Sequence, residues 1–225
     1  MTIAGFHADA AGAGLPTPST YGVLESGASW KDARKVLILV HGRDRDPAEL
    51  PGMTAELALR ERVRMLAPFA PSWCWYSSRY DAPLQENEKG RETGLQQIKS
   101  LLALAQEQGF RWGDIVLAGF SQGGCMVAEY LLAGEALPGA AAIFTGSALA
   151  VESRDFPAAN LGGMPVVLSG GYRDPWLPVA DLMATARALE GAGANVHLEI
   201  FPDAEHAVRA QEIELLGDLL VRGAA

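Results

Sequence analysis

The 225-residue chain holds only two cysteines, Cys74 and Cys125, and four histidines. Two cysteines cannot build a disulfide framework or a thiolate metal cluster, so both read as reduced packing residues. Positive charge is also scarce. Lys and Arg number 18 against 27 Asp and Glu, and the net charge is −9. Neither nucleic acid nor an anionic membrane is drawn to such a field, so neither is an expected partner. No apolar run approaches the length of a transmembrane helix, about 20 residues. Met1–Gly14 is Ala/Gly-rich, with no basic start and no apolar core of leader type. A cytoplasmic location is therefore the default expectation.

What is present suits a globular α/β protein. Hydrophobic residues make up 49% and charged residues 20%, the balance of a soluble domain with a substantial core. Residues 1–20 are small and polar and end in Pro16-Thr17-Pro18-Ser19, so they read as a flexible lead-in to one domain over 21–225. From Val36 onward apolar strand-like runs alternate with helical patterns. Strands are expected at 21–25, 36–41, 63–67, 115–118, 140–145, 165–169 and 195–201. Helices are expected at 47–62 with a break at Pro51-Gly52, then at 87–108, 126–132, 179–190 and 208–221. This alternation predicts a mostly parallel sheet with helices on both faces. Ligands of such sheets bind where the strands end.

One stretch carries chemistry. The run Ile115–Ala118 stops at Gly119-Phe120-Ser121-Gln122-Gly123, and a helical pattern follows at once. Gly-x-Ser-x-Gly between a buried strand and a helix is the nucleophile-elbow pattern. Its glycines let strand and helix approach closely, and the turn pushes the serine hydroxyl out at the positive end of the helix.

A serine is a poor nucleophile without a base, and the base needs an acid to orient it. Among the histidines, His7 lies in the lead-in, His197 inside a strand, and His41 at a strand end better suited to offering backbone groups. His206, in the loop after the last strand, is the expected base. Asp174, past the strand ending near Ser169, is the first choice of acid and gives the Ser…Asp…His order. Asp203 is its main rival but lies only three residues from His206. Asp181, on the next helix and expected to face solvent, and Asp155 follow. The oxyanion of an acyl transfer needs two N–H donors. The backbone of Gln122 is one, and the loop after His41-Gly42 offers the other, most simply the backbone of Arg43. The run Arg43-Asp44-Arg45-Asp46 also reads as a solvated turn.

These motifs resemble the phospholipase/carboxylesterase family of α/β-hydrolases, which includes the acyl-protein thioesterases. The matching pieces are Leu39–Arg43, Ala67–Pro71 with Trp75-Tyr76, Pro83–Asn87, Gly119–Gly124, Gly171–Pro178 and Phe201–His206. Gly-Phe-Ser-Gln-Gly-Gly is far more specific than the pentapeptide alone. The resemblance implies an α/β-hydrolase fold and hydrolysis of a small-molecule carboxylic ester, or alternatively a thioester, through an acyl-serine. It implies no metal and no cofactor. It carries Ser121, Asp174 and His206 as triad, with Arg43 and Gln122 as oxyanion donors. The charged loop after His41-Gly42 departs from the small residues usual there and is expected to narrow the cleft.

Only Gly146–Met164 separates two strands where many hydrolases insert a lid. No cap domain and an open cleft are therefore expected, with Trp75, Tyr76 and Trp176 as lining candidates that fit core or rim packing equally well. A carboxylesterase is the leading reading. A thioesterase of acylated protein and a non-catalytic ligand-binding hydrolase fold are the rivals. The oligomeric state, a homodimer included, is left open by the sequence.

Overall fold

The computed structural model describes residues 22–156 and 159–222. The lead-in expected over 1–20, and Tyr21 of the first expected strand, lie outside them. Seven strands form one sheet in the order β1-β3-β2-β4-β5-β6-β7. They are β1 (Val23–Gly27), β2 (Lys35–Val40), β3 (Val63–Pro68), β4 (Ile115–Phe120), β5 (Ala140–Phe144), β6 (Pro165–Gly171) and β7 (Asn195–Phe201). β1 runs antiparallel to β3, and every other pairing is parallel.

Helices cover both faces: α1 (Glu49–Met53), α2 (Ala55–Glu61), α3 (Leu84–Glu107), α4 (Gln122–Ala133), α5 (Val179–Gly191) and α6 (Ala210–Arg222). Side chains alternate along a strand, so β2 divides its residues between two cores. Val36, Ile38 and Val40 pack with Ile98, Leu102, Met126, Leu131 and Leu182. Leu37 and Leu39 pack with Leu57, Leu216 and Leu220 on the opposite face. Val36 to Val40 are all fully buried, which is why this strand is apolar at every position after Lys35. Each such side chain withdrawn from water contributes roughly 1.5–3 kcal/mol.

Boundaries shift where local hydrogen bonding outweighs pattern. The break expected at Pro51-Gly52 falls at Thr54, whose N–H and hydroxyl both bond to the Leu50 carbonyl. Pro51 sits inside α1, in a first turn where its missing N–H costs nothing. Helix α3 begins three residues earlier than expected, at Leu84, directly after Pro83. Helix α6 begins at Ala210 rather than Val208, because the Arg209 N–H turns to the Glu212 carboxylate at 2.6 Å. Gly27, expected in a turn, closes β1 at φ +78°, where a Cβ would lie 2.2 Å from the Val63 carbonyl oxygen.

The connector between β5 and β6 carries one 3-10 turn, Val151–Ser153, among its described residues. Buried Glu129 of α4 clamps it, accepting from the Leu149 N–H and from Arg154, with Arg91 of α3 on its other side. Among the described residues no helix is long and apolar enough to cross a membrane.

Candidate active site

The parallel register brings the carboxyl ends of β2, β4, β5, β6 and β7 to one edge. Val40 pairs with Gly119, Phe120 with Phe144, and Gly171 with Phe201. Ser121 follows β4 at φ +53°, ψ −119°, a conformation that costs a non-glycine residue of the order of 1–3 kcal/mol. Close packing holds it there. A Cβ on Gly123 would lie 2.0 Å from the Val40 carbonyl oxygen, and one on Gly119 would lie 2.5 Å from that of Gly123. The Ser121 N–H donates to the Phe144 carbonyl at 2.9 Å. The helix α4 therefore sits against the end of β2 only because those positions lack side chains.

The turn presents the Ser121 hydroxyl to His206, whose Nε2 lies 2.8 Å from Oγ. On the other side of the ring, Nδ1 lies 2.8 Å from Asp174 Oδ2. The second oxygen, Oδ1, accepts the Trp176 and Leu177 N–H groups at 2.7 and 3.1 Å. A carboxylate so held accepts only, so Nδ1 carries the proton and Nε2 is free to receive the one on Ser121. The Asp174 side chain is fully buried, while that of His206 is 24% exposed. The arrangement can take a proton from an attacking alcohol and hold the resulting imidazolium against a buried anion.

Two of the three rival carboxylates, Asp203 and Asp181, are engaged elsewhere. Asp203 pairs with Arg209 through both oxygens, and this holds its carboxyl below the usual range. Asp181 does not simply face solvent, as expected, but accepts the Tyr80 hydroxyl at 2.7 Å. Asp155 is exposed in the connector. His197 is a surface residue beside Glu199, and His7 lies outside the described residues.

A cavity of about 400 Å³ opens over Ser121, lined among others by Tyr76, Tyr80, Phe120, Thr145, Trp176 and His206. Arg43, Asp44 and Arg45 line it as well. All four residues of the run Arg43–Asp46 are exposed, as expected of a solvated turn, and both arginines also find partners in the fold. The Arg43 guanidinium donates from Nη2 to the carbonyls of Tyr76, Ser77 and Ser78 at 2.8, 3.1 and 2.9 Å. Arg45 pairs with Glu49, and the Asp44 N–H bonds to the Trp73 carbonyl.

Of the three aromatic candidates, Trp176 is exposed at the rim and Tyr76 lines the cavity from a buried position. Trp75 is different: it is 2% exposed in the core, with Nε1 donating to the His41 carbonyl at 2.7 Å. It braces the wall from behind and is absent from the lining.

Sequence reasoning treated Gln122 only as a main-chain donor. Its N–H belongs to the first turn of α4, where N–H groups have no intrahelical acceptor. Its side chain does further work, with Oε1 accepting the Trp75 N–H at 2.9 Å and Nε2 donating to the Tyr76 carbonyl at 2.6 Å. Tyr80, Phe120, Thr145 and Leu177 were not singled out either. Phe120 ends β4 and Thr145 directly follows β5 at the functional edge, a signal available from topology, while Leu177 lies further along the loop after β6. Among the described residues no group of three or more His, Cys, Asp or Glu side chains is placed to hold a metal ion.

A seven-stranded, mostly parallel sheet with a strained serine between a central strand and its helix is the α/β-hydrolase fold. The sequence profile of the phospholipase/carboxylesterase family matches residues 57–221, and the chain belongs to that family. A phospholipase/carboxylesterase from Dyadobacter fermentans superposes with a TM-score of 0.81 at 26% identity, over 90% of this chain and 97% of that one. A Bacillus cereus carboxylesterase superposes with a TM-score of 0.73 at 20% identity, over 90% and 94%. SOBER1 of Arabidopsis thaliana matches with a TM-score of 0.69 at 18% identity, over 84% and 99%. These last two likenesses concern the fold.

Proposed function

We propose that the protein is a serine carboxylesterase that cleaves small or medium acyl esters through an acyl-serine intermediate. The observation that carries this reading is the single imidazole bridging Ser121 and Asp174, at 2.8 Å to each. His206 takes the Ser121 proton as Oγ attacks the ester carbonyl. The backbone N–H groups of Gln122 and Arg43 hold the oxyanion, while Asp174 stabilises the imidazolium. His206 then gives its proton to the leaving alkoxide. Water, deprotonated by the same nitrogen, attacks the acyl-serine and releases the acid with Ser121 restored. Family membership supports the hydrolase class. The cavity volume and the short connector favour modest acyl groups over long chains.

The test is steady-state hydrolysis of p-nitrophenyl esters of increasing acyl length, with matched thioesters, by the wild type and by Ser121→Ala. The reading expects turnover of short and medium esters by the wild type and none above background by the variant. Turnover retained by Ser121→Ala refutes it, and a wild type active on the thioesters alone replaces it with the thioesterase reading.

A further inference from the structure

Gly42 precedes the proposed second oxyanion donor and lies tight against the elbow. A Cβ there would come within 3.2 Å of the Phe120 ring and 3.4 Å of the Ser121 Cβ. The peptide joining Gly42 to Arg43 is trans. In a trans peptide the C=O and the N–H point in opposite directions. Whatever grips the Gly42 carbonyl therefore also sets where the Arg43 N–H points.

His41 grips it. Its Nδ1 lies 2.7 Å from the Gly42 carbonyl oxygen, and its Nε2 lies 3.0 Å from the Ala70 backbone nitrogen. A backbone amide only donates and a carbonyl only accepts, so the two contacts define one tautomer, with the proton on Nδ1 and Nε2 bare. The ring is 2% exposed, packs at 5.1 Å from the Trp75 ring, and is absent from the cavity lining. The Trp75 indole N–H holds the backbone of the same residue through the His41 carbonyl at 2.7 Å. His41 thus stands on the carbonyl side of the Gly42–Arg43 peptide, opposite to the Arg43 N–H. The Arg45 N–H also reaches the Gly42 carbonyl, but at 3.3 Å.

We propose that His41 is a positioning residue for hydrolysis: its Nδ1–H holds the Gly42 carbonyl and so turns the Arg43 N–H toward the developing oxyanion. This rests on the reading of Arg43 as an oxyanion donor. His41 touches no reacting atom, and both of its ring nitrogens are taken, so it is not a second base. A histidine present only to fill the core has the same burial. What separates the two roles is which ring nitrogen matters to turnover.

Two substitutions divide the ring's contacts. In His41→Asn the side-chain amide nitrogen replaces Nδ1 and can still donate to Gly42, while the Ala70 contact is lost. In His41→Gln the amide reaches the Nε2 position and can accept from Ala70, while the Gly42 contact is lost. The expected result is that His41→Gln lowers kcat at least about tenfold with KM nearly unchanged, short of the roughly 10²–10³ that deleting a donor outright costs. His41→Asn keeps kcat within about threefold of the wild type. Equal losses in the two variants, or the larger loss in His41→Asn, overturn the inference. Should either variant fail to fold, ¹⁵N NMR of the wild-type imidazoles decides. A neutral His41 with its proton on Nδ1 supports the inference, and a proton on Nε2 overturns it. Ser121→Ala runs alongside. Turnover there defeats the serine reading itself, whereas silence there with a fully active His41→Gln defeats only the role given to His41.

Discussion

The side chain of Gln122 holds the main chain of Tyr76: Nε2 donates to its carbonyl at 2.6 Å, while Oε1 takes the neighbouring Trp75 N–H at 2.9 Å. The residue that follows the proposed nucleophile therefore fastens the opposite wall of the cleft. From the other side, the Arg43 guanidinium reaches the carbonyls of Tyr76, Ser77 and Ser78. The two residues proposed to hold the oxyanion by their backbones are thus tied through their side chains to one segment. This rigid frame is what electrostatic stabilisation of a transition state requires, since donors already in place need no reorganisation during the reaction.

The frame makes Gln122→Ala costly twice over. The buried Trp75 N–H loses its acceptor, while the Tyr76 carbonyl keeps only the Arg43 guanidinium and the Cys74 thiol, and the fold is destabilised by about 1–3 kcal/mol. Urea unfolding measures that loss. The loosened wall also lowers kcat for all esters alike, whereas a substitution at the exposed rim residue Trp176 should change KM with acyl group.

Asp174→Asn should spare the fold and stop most of the chemistry. The amide can remain beside Nδ1, but it then favours the wrong tautomer, with the proton on Nε2 facing Ser121. A fall in kcat of roughly 10⁴ is expected for the loss of this orientation. Steady-state kinetics read the loss, and circular dichroism checks that the fold persists.

Arg209 links the His206 loop to α6. It pairs with Asp203, donates to the Glu205 and Ala207 carbonyls, and lies 3.5 Å from buried Glu212. Arg209→Ala leaves that carboxylate without its counter-ion and should cost about 3 kcal/mol in unfolding free energy. Because the same loop carries His206, kcat falls with it. Unfolding and kinetic measurements on one preparation test both effects.

Acid should weaken the fold through His41. Burial holds its pKa below the ordinary 6.5, with the Gly42 carbonyl and the Asp46 and Glu49 charges opposing the shift. Above that value folded and unfolded chains both carry neutral imidazole, and this group adds no pH dependence. As the pH drops through 6.5 the unfolded chain binds the proton first, so unfolding is favoured until the lower folded pKa is reached. His41→Asn removes the effect. The stability of the wild type relative to the variant, measured by urea unfolding from about pH 7.5 to pH 5, should shrink toward acid. A difference that does not change with pH contradicts it.

The fold was legible because the cores lie on both faces of a parallel sheet. A strand such as β2 must then be apolar along its buried run, Val36–Val40, and its end falls at turn residues. The elbow was legible because backbone carbonyls stand 2.0–2.5 Å from where the Cβ atoms of Gly119 and Gly123 would be, which leaves glycine no substitute. Helix starts were less so. The Arg209 N–H is taken by a side chain three residues on, and no periodicity reveals that contact. The same holds for Trp75: a tryptophan beside a cleft motif suits wall or core equally, and the indole bond to the His41 carbonyl decides for core. The Arg43–Asp46 loop is exposed, as its charges suggested, but sequence does not display which carbonyls the Arg43 guanidinium will find.

The central claim is that Ser121, raised by the elbow and deprotonated by His206, is the nucleophile. Mass spectrometry of peptides from protein treated with a fluorophosphonate tests it most directly. The account predicts one adduct per chain, on Ser121, formed rapidly by the wild type and far more slowly by His206→Ala. An adduct on another residue, or none in protein that hydrolyses esters, would contradict it.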